Sequence, residues 1–459
     1  MSAYKVGSES SIDRDESIGA ATDVPHDEMT SIRGVNPSTA ESDDDGVEIT
    51  ATALSGASIQ AIPRINVYEN IPFAGGDGDY SILSVLFGPH SIGGGIFGYL
   101  NMKDSNNVRI QCVECRKAVM DFPWMDKNSK IKGSVRAWRA AFPYARAVNV
   151  TNRDNLVDED FVHIRGDARV RLHTVRMRRC TRVTDAAFVY LRGIHTLDMS
   201  RCSQIMITDA AFVHLRGIQR LDMSKCFQAT ITDAAFVHLR GIYSLDLGDC
   251  NQATITDAAF VHLQGIHTLK LPCRSRTITD AAFVHLRGIH TLDMSFCNLG
   301  TITDGAFVHL RGIYALDMRG CYHATIKGAT FEHLRGIHTL NMMGCNIKGS
   351  AFVHLSGIHT LNMSCCTSMT ITDATFGYLR GIHTLHVSGC RAITDAAFVH
   401  LQGIHTLYIS FQESITAAAF VHLRGIHTLV VGGRCQPALR HAAAALLLTN
   451  FSLSTDTEM

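Results

Sequence analysis

The sequence predicts an α/β solenoid: about 12 to 13 stacked coils, with parallel strands on the concave side and short helices on the convex side. Three observations predict it. One block, ITDAAFVHLRGIHTLDMS, recurs with small changes through most of the chain. Its phenylalanine returns as Phe161, Phe188, Phe212, Phe236, Phe260, Phe283, Phe307, Phe331, Phe352, Phe376, Phe398 and Phe420, at spacings of 21 to 27 residues. Each block holds one stretch of strand-like alternation and one stretch of helix-like apolar spacing. A unit that short cannot bury its apolar side alone, so it is stable only between neighbours.

Four parts follow in order: an acidic tail over residues 1–78, a small helical module over 79–140, the coils over 141–435, and a capping helix with a tail over 436–459. The first part holds fourteen acidic and four basic residues and no sustained apolar period. It is expected to be disordered, because it has too little apolar surface to offset the entropy of ordering. Its opening, MSAYKVGSES, lacks the basic start and apolar run of a signal peptide. Residues 82–87 and 442–448, the longest aliphatic stretches, fall far short of the roughly 20 residues of a spanning helix. A soluble chain of the cytoplasm or nucleus, with no membrane partner, is expected. Lys plus Arg equals Asp plus Glu at 42 each, which gives no argument for a polyanionic partner such as nucleic acid.

Within a coil, Leu197 and Met199 alternate with polar neighbours, as a half-buried strand does. About thirteen such strand cores are expected, from 148–150 and 175–177 through 197–199 to 429–431. In residues 207–217, Thr208 or Asp209 can cap a short helix, Phe212 and Leu215 share its buried face, and Gly217 suits the left-handed position past its end. Asp209 and Arg216 lie at the favourable ends of its dipole. QPALRHAAAALLLTNF, residues 436–451, is expected to form a final helix closing the open end of the core.

The spacing of Ile194, Leu197, Met199 and Cys202 is L-x-x-L-x-L-x-x-N/C, and on these residues the coil resembles the cysteine-containing subclass of leucine-rich repeats. Of the fourteen cysteines, eleven of the twelve in the carboxy-terminal region recur about once per coil instead of in evident pairs, which suits reduced, buried thiols. Cys180, Cys202, Cys226, Cys250, Cys297, Cys321, Cys345, Cys366 and Cys390 should form a ladder bonded to backbone turns, each bond contributing about 1 kcal/mol. A metal array needs several ligands in one place, and one cysteine per coil does not supply them.

The concave face should present Thr196, Asp198 and Ser200, then Asp222, Asp246, Asp293 and Asp317 in line. Such an acidic stripe suits a basic protein partner, although copying of one unit produces the same stripe without any ligand. Lys270, Arg319, His386 and Tyr408 depart from the rule and are candidate determinants of selectivity. The pair in V-H-L-R-G-I-H, His285 and His290 for instance, is five residues apart with a glycine between, not the i, i+4 pair of helical zinc sites. His267 and His290 of consecutive coils should lie near the roughly 4.8 Å strand spacing, which makes charging both unfavourable as pH falls through about 6.

The run from Arg165 to Arg182 contains seven arginines. Without interleaved aromatic residues it reads as a solvated first coil and not as a nucleic-acid site. No phosphate loop, nucleophile elbow or H-E-x-x-H is present, Gly93-Gly94-Gly95 is too bare for a phosphate cradle, and Cys112-x-x-Cys115 is a lone pair. A binding protein with no catalytic residue, metal or cofactor is expected.

Residues 89–104, from Pro89 through Ile92, Ile96, Phe97 and Leu100 to Met102-Lys103-Asp104, resemble the opening of an F-box. Cys115-Arg116-Lys117 and Asp121-Phe122-Pro123-Trp124 resemble its close. Together with the array that follows, the chain is similar to F-box/leucine-rich-repeat proteins of eukaryotes and of large DNA viruses that infect protists. The resemblance implies a substrate receptor of a Skp–cullin–F-box ubiquitin ligase, monomeric outside that complex. Pro89, Ile92, Ile96, Phe97 and Leu100 would contact the Skp adaptor, and the repeats would hold an unknown protein substrate. Apolar anchors three or four residues apart suit recognition of a helix in a groove. The alternatives are a small helical cap on the first coil and, for the whole chain, a plain binding scaffold.

Overall fold

A computed structural model of the chain describes residues 47–50, 102–103, 105 and 113–455, apart from 167–169, 273–274, 298–299, 323–324, 367, 411–413 and 433–436. Thirteen parallel strands run in chain order from Ala147–Asn149 to Thr428–Val431 in one open sheet. The register never slips: Thr196 pairs with Arg220, Leu197 with Leu221 and Asp198 with Asp222, and so on along the array. A one-residue slip would turn each central leucine out of the core, so the apolar pattern fixes the pairing. The strand begins one residue earlier than the alternation predicts, at Thr196–Asp198. Beyond Asp198 the chain already turns: the Met199 N–H still reaches Asp222 O at 2.8 Å, and the Cys202 N–H closes the turn on Met199 O at 3.2 Å.

One continuous core fills the inside of the coils. Phe188, Phe212 and their counterparts are fully buried there, packed with the strand leucines and methionines of the same and adjoining coils. On the convex side, Asp209–Phe212 is a single α-helical turn, extended by the 3-10 turn Val213–Leu215. Thr208 caps it by accepting the Ala210 N–H at 3.2 Å, and Gly217 follows with φ of 82°. From Asp304–His309 onward the corresponding segments are 3-10 turns throughout. So short a segment has barely one backbone bond to gain as α-helix. The cap and the buried phenylalanine, which either geometry satisfies, dominate.

Asp209 does more than sit at its own helix dipole. Its carboxylate reaches the next coil, accepting Thr232 N–H and Thr232 Oγ1–H at 2.7 Å each. The same clamp joins Asp158 to Thr184 near one end of the array and Asp395 to Thr416 near the other. On the opposite side of the core, Cys202 Sγ–H donates to Met177 O at 3.1 Å and Cys226 Sγ–H to Met199 O at 3.2 Å. Burial pushes the Cys202 thiol up to about 12 and the Cys180 thiol to about 11, and the ten cysteines whose side chains are described, from Cys180 to Cys390, are free thiols.

The two ends are closed differently. Before the first coil, Met102, Val119, Trp124, Phe142 and Ala145 form a second small core around helices Val113–Asp121 and Val135–Ala141. Arg139 joins it to the first coil: its guanidinium donates to Ala145 O at 2.9 Å, His163 O at 3.0 Å, Pro143 O at 3.2 Å, Phe142 O at 3.3 Å and also Ile164 O. Burial lowers its pKa to about 10. After the last coil, helix Pro437–Thr455 lays Leu439, Ala443 and Leu447 into the main core.

Val47–Thr50, within the stretch that the sequence assigns to a disordered tail, is a strand paired antiparallel with Thr428–Val431. The last coil has no successor, and its open backbone groups supply the pairing that local composition cannot. The other residues of 1–78 lie outside the described residues.

Candidate binding surface

In each coil the central residue of the strand, valine in the first two and leucine after them, points into the core, so its first and third residues stand on the concave face. The parallel register turns the third positions into one ladder: Asp198, Asp222, Asp246, Lys270, Asp293, Asp317, Asn341, Asn362, His386 and Tyr408. Thr196 begins the neighbouring ladder of first positions, with Arg220 and Ser244.

Within the ladder the carboxylates differ. Burial, and then the neighbouring Asp222, raise Asp246 above the ordinary carboxylate range even though Lys270 opposes them. Asp317 is raised by burial and by Asp293, against Arg319. Burial works the same way on Asp293, but hydrogen bonds from Ser295 and from Lys270, whose Nζ lies 3.0 Å from Asp293 Oδ2, outweigh it and hold that carboxyl low. Each aspartate also caps its own turn: Oδ1 accepts from Ser224 N at 3.0 Å in Asp222 and from Gly248 N at 2.8 Å in Asp246. One carboxylate oxygen of each is thereby held by the backbone; Oδ2 of Asp293 is taken by Lys270, and Oδ2 of Asp317 lies 3.6 Å from Arg319 Nε and accepts Asn341 Nδ2–H at 3.3 Å.

Two predicted members are not available. Ser200 is 1% exposed and Asp198 is 8% exposed. Ser200 Oγ–H donates to Asp198 Oδ1 at 2.7 Å and Arg176 Nε lies 3.4 Å from Asp198 Oδ2, so serine and arginine cover the carboxylate. Asp222, Asp246, Lys270, Asp293, Asp317, His386 and Tyr408 are half-buried. His386 and Tyr408 stack at 3.9 Å between ring centroids, and burial lowers the His386 pKa.

Side chains outside the predicted set border this face. Phe227, Phe296, Tyr322 and Met369 are 49% to 75% exposed in the turns that follow the strands. Phe296 packs over Gly320, where any Cβ would meet its ring at 2.5 Å, and Arg319 stands over the same ring at 5.8 Å. The signal for them was present in the sequence: these turns, next to the ladder cysteines, break the polar consensus with large apolar residues.

Where the chain enters the strands, rings stack continuously from Tyr243 through His267, His290, Tyr314, His338, His359, His383 and His405 to His427, with centroids 4.3 to 4.6 Å apart. A second row lies on the convex side: Arg192 Nε–H donates to His214 Nδ1 at 3.1 Å and Arg216 Nε–H to His238 Nδ1 at 3.3 Å. Burial, and then those arginines, lower the pKa of His214 and His238.

Pro89, Ile92, Ile96, Phe97 and Leu100 lie outside the described residues, as does Cys112. Among the described residues, no group of three or more His, Cys, Asp and Glu is placed to hold a metal ion, and no helix is long and apolar enough to cross a membrane.

Residues 181–314 match the BspA-type leucine-rich-repeat region, in six copies. With the in-register parallel strands and their convex turns, this makes the fold a leucine-rich-repeat solenoid, an architecture of protein–protein interaction modules. A chain of the Rad7–Elc1 complex in yeast aligns with a TM-score of 0.42 at 13% identity, over 59% of this chain and 77% of that one. A chain of the Toll–Spatzle complex of Drosophila aligns with a TM-score of 0.49 at 17% identity, over 62% of this chain and 39% of that one. Its glycosylated form gives 0.41 at 15% identity, over 61% and 45%. This chain thus spans less than half of either Toll–Spatzle chain. No curated protein matches the sequence.

Proposed function

We propose that the chain is the substrate-recognition subunit of a Skp–cullin–F-box-type ubiquitin ligase, acting in the cytoplasm or nucleus by binding and not by catalysis. Residues 89–100 would dock on the adaptor through Pro89, Ile92, Ile96, Phe97 and Leu100. The concave face would hold a protein substrate, with Asp222, Asp246, Asp293 and Asp317 set against its basic side chains. Lys270, His386 and Tyr408 would set the register along it.

The observation that carries this reading is the joint at Arg139. The module that contains Cys115-Arg116-Lys117 is fastened to the first coil through one buried guanidinium, which donates two hydrogen bonds across the joint, to His163 O and Ile164 O, and three to Phe142 O, Pro143 O and Ala145 O on its own side. A receptor needs such a joint, because the adaptor-bound end must hold the substrate face in a fixed relation to the rest of a ligase. The same contact favours a second reading, a plain interaction scaffold whose helical module only seals the first coil.

Capture of a purified Skp adaptor by the full chain separates the two. The receptor reading expects capture by the wild type and its loss in Ile96→Asp and Phe97→Asp variants that keep the wild-type melting curve. A folded wild-type chain that fails to capture the adaptor leaves the scaffold.

A further inference from the structure

The arginine run that reads as solvated surface in the sequence is partly gathered into a cavity. Arg176, Arg178, Arg179, Arg201 and Lys130 line one pocket of about 380 Å³ at the start of the array, with asparagine side chains between them. One carboxylate is in reach: Asp198 Oδ2, 3.4 Å from Arg176 Nε and 3.9 Å from Arg178 Nε. Among the described residues, no carboxylate pairs with Arg179, Arg201 or Lys130.

These cations are departures from the repeat. Arg176 stands in register with Asp198 and Asp222, and Arg178 holds the place of Ser200 and Ser224 in the following coils. The floor beneath them is fixed. Buried Asn149 donates from Nδ2 to Lys127 O at 3.0 Å and Asn128 O at 3.1 Å, and its Oδ1 accepts the Thr151 N–H at 3.1 Å. Arg176 Nη1 donates to Lys127 O at 3.3 Å. Arg179 and Arg201 occupy left-handed turns, φ 55° and 60°, tied to the next coil by N–H bonds to Ser200 O at 3.1 Å and Ser224 O at 2.8 Å. Arg176 and the backbone that carries Arg179 and Arg201 are therefore in place before any ligand arrives, which reduces the ordering cost of binding one.

We propose that this pocket binds a compact small molecule carrying two or more phosphate groups. Guanidinium groups match phosphate oxygens two at a time, and five cations against one carboxylate exceed what a single phosphate needs. The volume lies in the range of small-ligand sites. A long polyanion is disfavoured, because the same face continues into Asp222 and Asp246, which would repel it. Nucleic acid also lacks a platform, since no aromatic residue lines the pocket for a base to stack on. The site is independent of the adaptor: a chain that captures no adaptor can still hold this ligand.

The test is calorimetric titration of the full chain with sodium tripolyphosphate near neutral pH at about 0.15 M salt. Saturable binding is expected, at least tenfold weaker in Arg179→Gln/Arg201→Gln and in Lys130→Gln, whose side chain is exposed. Lys225→Gln, the same turn one coil beyond Arg201 and outside the pocket, should change affinity less than twofold. Melting curves of each variant confirm that the coils remain folded. Absence of binding, equal affinity in the pocket variants, or equal affinity for sulfate overturns the proposal. Binding of a doubly phosphorylated peptide without binding of tripolyphosphate overturns it in favour of a phosphoprotein surface.

Discussion

Asp233 accepts Thr256 N–H and Thr256 Oγ1–H at 2.7 Å each, and Thr256 in turn caps the following helix through the Ala258 N–H at 3.2 Å. One carboxylate thus orders two coils at once. Hydrogen bonds to a charged acceptor contribute about 1.5 to 3 kcal/mol each when buried, and these are half-buried. Asp233→Ala is expected to cost about 2 kcal/mol in total, seen as a lowered urea midpoint. Thr256→Val should cost a similar amount, and the double variant less than the sum, because the two partners share one interaction. Full additivity would show that the clamp is not a coupled pair. The sequence pattern pointed to Asp209 and its repeats as helix-dipole residues. Their reach across about 23 positions to the next threonine is a property of stacking, which one unit read alone does not display.

Among elements, strands and convex turns were legible because both rest on periodicity within a unit: Leu197 and Met199 alternate, and Phe212 and Leu215 share a face. The edge strand Val47–Thr50 was not, because the partner that orders it lies at the far end of the chain. The withdrawal of Asp198 was hidden too, since it depends on Arg176 from the preceding coil covering its carboxylate. The predicted adjacency of His267 and His290 is met at 4.4 Å, but the second histidine row, bonded to arginines, went unseen. His405 in the first row and His214, His238 and His309 in the second shift in one direction. Burial, and then the neighbouring His383 and His427, lower His405, and burial with Arg287 lowers His309. A depressed histidine resists protonation in the folded state, whereas the unfolded chain takes the proton near pH 6.5. Stability is therefore full above about pH 6.5 and falls as pH drops through the lowered folded values. Raised Asp246 and Asp317 act oppositely, in the carboxylate range at lower pH. The urea midpoint should decline between about pH 7.5 and 5.5; a flat midpoint across that interval would falsify the histidine account.

For the whole molecule, a stack of coils has no central nucleus, and each coil is held by its two neighbours. A lesion at one end should open that end and leave the middle intact, which distinguishes a solenoid from a globule with one cooperative core. Arg139→Ala supplies the lesion. It removes a buried charge from a ring of backbone carbonyls, with Ala145 O at 2.9 Å on one side of the joint and His163 O at 3.0 Å on the other. Leaving those acceptors unpaired should cost about 3 kcal/mol at the joint. Hydrogen exchange should then quicken in helices Val135–Ala141 and Asp160–Arg165, while the amides of strands Thr268–Lys270 and Thr291–Asp293 keep their wild-type rates. Uniform acceleration from one end of the array to the other would mean that the coils melt as a single unit. The fixed relation between module and concave face would then rest on global cooperativity instead of on one guanidinium.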